Sequence, residues 1–143
     1  MGYCINQTDS KFHVPASKFT DALAAVKALM LDTVSMNGGS WSGGERVERF
    51  YSWVDTAAVL ESNALVDALS AWRWKARCVN SDDITTIYFK GEKSGQDTIL
   101  FNAIAPYVTA GSYIAMRGED GLVWRWYFNG IECSKQGGKV VYE

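Results

Sequence analysis

At 143 residues, with 48% hydrophobic and 21% charged side chains, the chain has the size and balance of one globular domain. Such a domain buries roughly 68% of its unfolded surface, and the composition is too apolar for an intrinsically disordered segment. A net charge of −2, from 14 basic and 16 acidic residues, excludes both the basic excess of a general nucleic-acid binder and the strong acidity of a DNA mimic.

A single globular domain over residues 1–143 is therefore expected. YCINQTDSKFHV alternates briefly and then turns polar, as in a first strand with a turn or bulge around Thr8 to Ser10. Pro15 suits a helix start. From Phe19, the apolar residues Phe19, Leu23, Val26, Leu29 and Met30 recur at three to four against polar Lys18, Asp21, Lys27 and Asp32, which predicts a one-sided helix whose alanines permit close packing. MNGGSWSGGE, residues 36–45, holds four glycines and two serines around Trp41. No helical or strand pattern survives there, so a flexible loop is expected, with Trp41 either stapling it to the domain or gripping a partner.

RFYSWV then reads as a short strand or as the lead-in to a helix. Leu60, Ala64, Leu65, Ala68, Leu69 and Trp72 mark a second amphipathic helix running through about Arg77, capped by Asp55 or Ser62 and ended by Asn80 to Asp83. ITTIYFKG alternates Thr85, Ile87 and Phe89 against Ile84, Thr86 and Tyr88, a strand with one buried face. A third helix spans about Gln96 to Ala105, with Ile99, Leu100, Ala103 and Ile104 inward, until Pro106 disturbs it.

RGEDGLVWRWYFNG, residues 117–130, predicts the return of a β-hairpin. With Glu119, Asp120 and Gly121 as a three-residue loop and Gly121 left-handed, Gly118 faces Leu122, Met116 faces Trp124 and Ile114 faces Trp126, apolar against apolar. A two-residue Asp-Gly turn would set Arg117 opposite Trp124 and Ala115 opposite Trp126, mixing the faces. The inward, structural row is then Ile114, Met116, Trp124, Trp126 and Phe128, while Tyr113, Arg117, Arg125 and Tyr127 share the other face. GGKVVYE adds a short last strand after a glycine-containing turn. Together these elements predict an α+β fold: a mostly antiparallel sheet packed against two or three helices, closing in a C-terminal β-meander.

No catalytic set assembles from spacing. The cysteines Cys4, Cys78 and Cys133 lie far apart and match no metal-ligand spacing, which favours free thiols in a reducing cytoplasm. MGYCINQTDSKF lacks a basic region followed by an apolar run, so no secretory signal is expected. No stretch reaches the ~18 uninterrupted apolar residues of a membrane span, and no membrane association is expected. His13, the only histidine, has no obvious acid to orient it as a base. Asp82 and Asp83 with Glu92 and Lys93 faintly suggest a metal-dependent hydrolase, but Glu92 and Lys93 are adjacent and would point oppositely from a strand. GEKSG and GGSWSGG lack the glycine and lysine spacing of nucleotide-binding loops. No metal and no cofactor is expected.

What remains is aromatic residues beside basic ones: Trp41 in its loop, Arg73, Lys75 and Arg77 around WRWK, and Tyr113, Arg117, Arg125 and Tyr127 on the hairpin. Such side chains anchor protein interfaces or stack on bases and meet phosphates. The tryptophans Trp72, Trp124 and Trp126 are expected in the core.

QTDSKF with the first helix, the FYSWV to AWRW segment, and above all LFNAIAPYVTAGSYIAMRGEDGLVWRWYF resemble small uncharacterised proteins of phages and other mobile genetic elements. The resemblance implies cytosolic action in a bacterium as an accessory regulator or an inhibitor of a host defence system, and it carries over no catalytic residue. The leading expectation is a non-enzymatic protein-binding domain. The rival is a nucleic-acid or nucleotide binding module, and a homo-oligomer is compatible with either.

Overall fold

A computed structural model describes residues 2–32, 36, 38–42 and 45–138, with the backbone alone for 38–50. The fold is α+β. Strand β1 (Ile5–Lys11) is followed by a 3-10 turn (Ala16–Lys18), helix α1 (Phe19–Ala28) and a second 3-10 turn (Leu29–Leu31). Strands β2 (Gly38–Ser42) and β3 (Glu45–Phe50) come next, then helices α2 (Thr56–Glu61) and α3 (Leu65–Ala71) and strands β4 (Trp74–Arg77) and β5 (Thr86–Phe89). Helix α4 (Asp97–Ile104), a 3-10 turn over Ala105–Tyr107, and strands β6 (Tyr113–Gly118), β7 (Val123–Phe128) and β8 (Cys133–Gly138) complete the described chain. The main sheet has the order β1-β6-β7-β8, with β6, β7 and β8 as a C-terminal meander, while β2 with β3 and β4 with β5 form two-stranded sheets. Every pairing is antiparallel.

The main sheet takes the register that its hydrophobic pattern dictates. Ile114 pairs with Trp126 and Met116 with Trp124, the Gly118 amide donates to the Leu122 carbonyl at 2.8 Å, and the Gly121 amide donates to the Gly118 carbonyl at 3.0 Å. Ile114, Met116, Trp126 and Phe128 are buried and Trp124 is half-buried against them. Gly121 has φ +86° and open space where a Cβ would stand, so only the backbone opposes a side chain there. Gly121→Ala should cost on the order of 1 kcal/mol, lowering the melting temperature by about 2–4 °C, and Gly121→Val should cost more. A differential scanning calorimetry melt checks this. β1 carries the expected bulge, with the register shifting between Gln7 and Asp9.

Three elements differ from the sequence reading. The loop expected over 36–45 is replaced by a strand from Gly38 that pairs with β3. Pairing of main-chain groups needs no side-chain alternation, which is the only strand signal a Gly/Ser-rich stretch could have shown. The second helix is not continuous to Arg77. Asp55 caps α2 by accepting from the Ala58 amide at 3.1 Å, Ser62 leaves helical geometry at the end of α2, and α3 stops at Ala71. Arg73, at φ +74°, turns the chain into β4, where Trp74 and Ala76 are buried while Lys75 and Arg77 are exposed. A period of two, paired to β5 through Trp74 with Phe89 and Ala76 with Ile87, displaces the helical period that Trp72 appeared to continue. Finally, the last described strand begins at Cys133 rather than in GGKVVYE, after a turn at Gly130. Residues 139–143 of that expected strand lie outside the described residues.

The sheets are tied together by one side chain and one aromatic cluster. The Gln7 amide donates to the Ile87 carbonyl at 2.9 Å and accepts the Phe89 amide at 2.7 Å, standing in for a strand along the edge of β5. On the inner face, Trp74 meets Phe101 at 5.0 Å and Trp126 at 5.9 Å, and Phe101 meets Phe128 at 5.9 Å. This aromatic cluster joins β4, α4 and β7, and α1 packs on α3 and α4.

Candidate functional site

Because the inner face takes the apolar row of β6 and β7, the alternate residues of these two strands form the outer face. The cross-strand neighbours Tyr113 and Tyr127, Ala115 and Arg125, and Arg117 and Val123 share that face, continued by Ser134 and Gln136 on β8 and by Asp9 and Lys11 on β1. All of these residues are exposed or half-buried. The Arg125 guanidinium carbon lies 4.9 Å from the Tyr127 ring centroid and 5.9 Å from that of Tyr113, a cation–π arrangement. Arg125 Nε donates to Gln136 Oε1 at 2.7 Å, and Tyr113 donates its hydroxyl to Asp9 Oδ2 at 2.8 Å. That hydrogen bond, helped by desolvation, holds the Tyr113 phenol above its ordinary range. Beside Arg125, over the small Ala115, Thr8, Val123, Gln136 and Gly138 rim an open depression of about 310 Å³.

The remaining sequence candidates fall elsewhere. Trp41 pairs with Arg46 in the β2–β3 hairpin, and its side chain lies outside the described residues. Lys75 and Arg77 are exposed on β4, in a different sheet, next to Tyr88 and Thr86. Arg73 turns inward instead of outward. Its guanidinium donates to the Lys93 carbonyl at 2.6 Å, contacts Asp97 Oδ2 at 3.4 Å, and lies 5.1 Å from the Phe89 ring. Asp97 is buried and accepts Trp74 Nε1–H at 3.0 Å. Burial pushes the Asp97 carboxyl above the usual carboxylate range and Arg73 below its own, while their pairing opposes both shifts. Arg73 is therefore part of the packed interior and unavailable to a partner.

His13 does have an acid to orient it. Nε2 lies 2.9 Å from Asp83 Oδ2, and Nδ1 lies 2.5 Å from Thr109 Oγ1. Lys93 reaches Cys4 Sγ at 2.9 Å, so neither Asp83 nor Lys93 stands as a free ligand beside Glu92. Among the described residues no group of three His, Cys, Asp or Glu side chains could hold a metal ion, and no helix is long and apolar enough to cross a membrane. The three cysteines are free thiols, and burial pushes Cys133 up to about 12.

Gln136 and Asp9, which fix Arg125 and Tyr113, were not legible as site residues. Their only signal is register: a strand placed at Cys133–Gly138 sets Gln136 opposite Arg125. In comparison with known proteins, no family model, no curated protein and no solved structure matches this chain.

Proposed function

We propose that this domain is a binding protein whose partner is another protein, engaged by the outer face of the main sheet around Arg125. The observation that carries this reading is the pre-set Arg125 side chain, exposed yet held by Tyr127, Tyr113 and Gln136. An arginine and two tyrosines ordered before contact lose little conformational freedom on binding, and these residue types dominate interface hot spots. The resemblance of the hairpin region to proteins of mobile genetic elements makes a cytosolic bacterial host protein, such as a defence component, the first partner class to test.

Affinity capture from bacterial lysate should retain one specific protein on the wild type and lose it on Arg125→Ala and Tyr127→Ala. Because Arg125 is solvent-facing, its replacement should change stability by less than about 0.5 kcal/mol. Retention of the same protein by both variants would overturn the assignment of this face.

A second reading has its own support. Lys11, Arg117 and Arg125 outnumber Asp9 on this face, beside half-buried tyrosines of the kind on which unpaired bases stack. Single-stranded RNA or DNA held there would dissociate steeply with added salt, whereas an aromatic-centred protein contact would weaken far less. A mobility-shift series at two salt concentrations separates the two readings.

A further inference from the structure

At the far end of β1 lies a chain of polar groups that the sheet-face reading does not use. Asp83 accepts twice, from the Ala16 amide at Oδ1 (2.7 Å) and from His13 at Oδ2 (2.9 Å). These two bonds, the amide foremost, hold its carboxyl below the usual range, so it is ionised at neutral pH. An ionised carboxylate can only accept, so His13 Nε2 carries a proton, and in the neutral ring Nδ1 presents its lone pair to the Thr109 hydroxyl at 2.5 Å. In that form the chain has a direction, with threonine donating to histidine and histidine donating to aspartate.

The backbone holds all three residues in place. The Thr109 amide donates to the His13 carbonyl at 2.9 Å, and Val14 and Ile84 exchange two bonds of 3.0 Å, while the His13 amide donates to Ser112 Oγ at 3.2 Å. Thr109 opens a turn closed by the Ser112 amide on the Thr109 carbonyl at 3.2 Å, with Gly111 at φ +93° in the third position, where a side chain is disfavoured. Thr109 is exposed, and the His13 and Asp83 side chains are 38% and 34% exposed, so a solvent-borne reactant can reach the hydroxyl. The amide of Ala110, immediately after Thr109, has no partner within the described residues. It occupies the chain position, next after the nucleophile, from which acyl-transfer sites draw an oxyanion donor.

We propose that Thr109, His13 and Asp83 form a nucleophilic relay that accepts an acyl group from an activated ester. Thr109 Oγ1 attacks the carbonyl carbon as its proton passes to His13 Nδ1, and the oxyanion forms beside the Ala110 amide. Collapse breaks the bond to the leaving oxygen, which takes the proton from His13, and Thr109 is left as an acyl ester. Water, deprotonated by His13, then releases the carboxylic acid and restores the hydroxyl. Nothing is oxidised or reduced. Thr109 and His13 touch the reacting atoms, and Asp83 acts as a positioning residue that holds the ring in the required tautomer.

The experiment uses p-nitrophenyl acetate with the full chain, following p-nitrophenolate release and locating the acetyl group by peptide mass spectrometry. The acetyl group is expected on Thr109. Thr109→Val, nearly isosteric at an exposed position, and His13→Gln should each slow release by roughly 100-fold or more, while Thr109→Ser keeps it. Asp83→Asn should slow it by about tenfold and alter the pH profile of the rate. Release that is no faster than in buffer, acetylation confined to lysines, or a Thr109→Val rate equal to wild type would each overturn the relay. An unaltered pH profile in Asp83→Asn would remove Asp83 from it. Melting curves of the variants separate loss of chemistry from loss of fold.

Discussion

Asp97→Ala should destabilise the protein by about 3–5 kcal/mol, the cost of removing one partner from a buried ion pair. The Asp97 side chain is 3% exposed and that of Arg73 15%. The truncation leaves the guanidinium buried with the Lys93 carbonyl and the Phe89 ring as its remaining partners, and it strips the acceptor from Trp74 Nε1 in the middle of the core. Arg73→Met added to Asp97→Ala should cost less than the sum of the two single changes, because the second mutation removes the orphaned charge. Urea unfolding of the three variants provides the measurement, and strict additivity would show that the pair does not act as one unit.

The same residue gives a signed pH dependence. Burial raises the Asp97 carboxyl in the folded protein, so the folded state holds this proton to higher pH than the unfolded chain does. The stability it contributes is complete below the ordinary carboxylate range and is lost as pH rises through the raised value. The stability of wild type measured relative to Asp97→Asn, which carries no titrating group there, should therefore fall as pH rises from about 4 to about 7. A relative rise over that range would mean that attraction to Arg73 outweighs desolvation.

Trp126→Ala should cost about 3–5 kcal/mol as well, by leaving a large cavity. Trp126 is 3% exposed, meets Phe101 at 4.8 Å and Trp74 at 5.9 Å, and donates Nε1–H to Thr98 Oγ1 at 3.0 Å. One truncation thus opens the contact between β7, β4 and α4 and orphans the Thr98 contact. Trp124→Ala should cost less, since Trp124 is half-buried and its Nε1 has no partner among the described residues. Arg125→Ala, between them in sequence but on the opposite face, should be nearly neutral. Chemical denaturation should rank the three as Trp126, Trp124, Arg125. Equal losses at Trp126 and Arg125 would contradict the facing of β7.

The candidate residues were legible in proportion to how local their determinants are. Arg125 and Tyr127 could be placed on one outer face because alternation along β7 is a property of neighbouring residues. Arg73 could not be placed: beside Trp72 and Trp74 it reads as an exposed base on a helix, and only the left-handed turn at Arg73 directs it to Asp97. His13 reads as unpartnered because Asp83 is 70 positions away and Thr109 is 96 away.

The sequence by itself determined the α+β class, the one-sided helix α1, the bulge in β1, and the β6–β7 hairpin with its loop and register. Each of these depends on side-chain periodicity or turn chemistry within a few residues, and a one-residue slip of the hairpin would have mixed the tryptophans with the polar face. The tertiary structure decided that WKAR is a strand, that a Gly/Ser-rich stretch pairs with β3, that polar CSKQGG forms β8, and which side chains meet at Asp97 and His13. The physical reason is common to all of these. Main-chain hydrogen bonding is indifferent to side-chain pattern, and contacts between distant segments have energies set by which surfaces the rest of the core brings together.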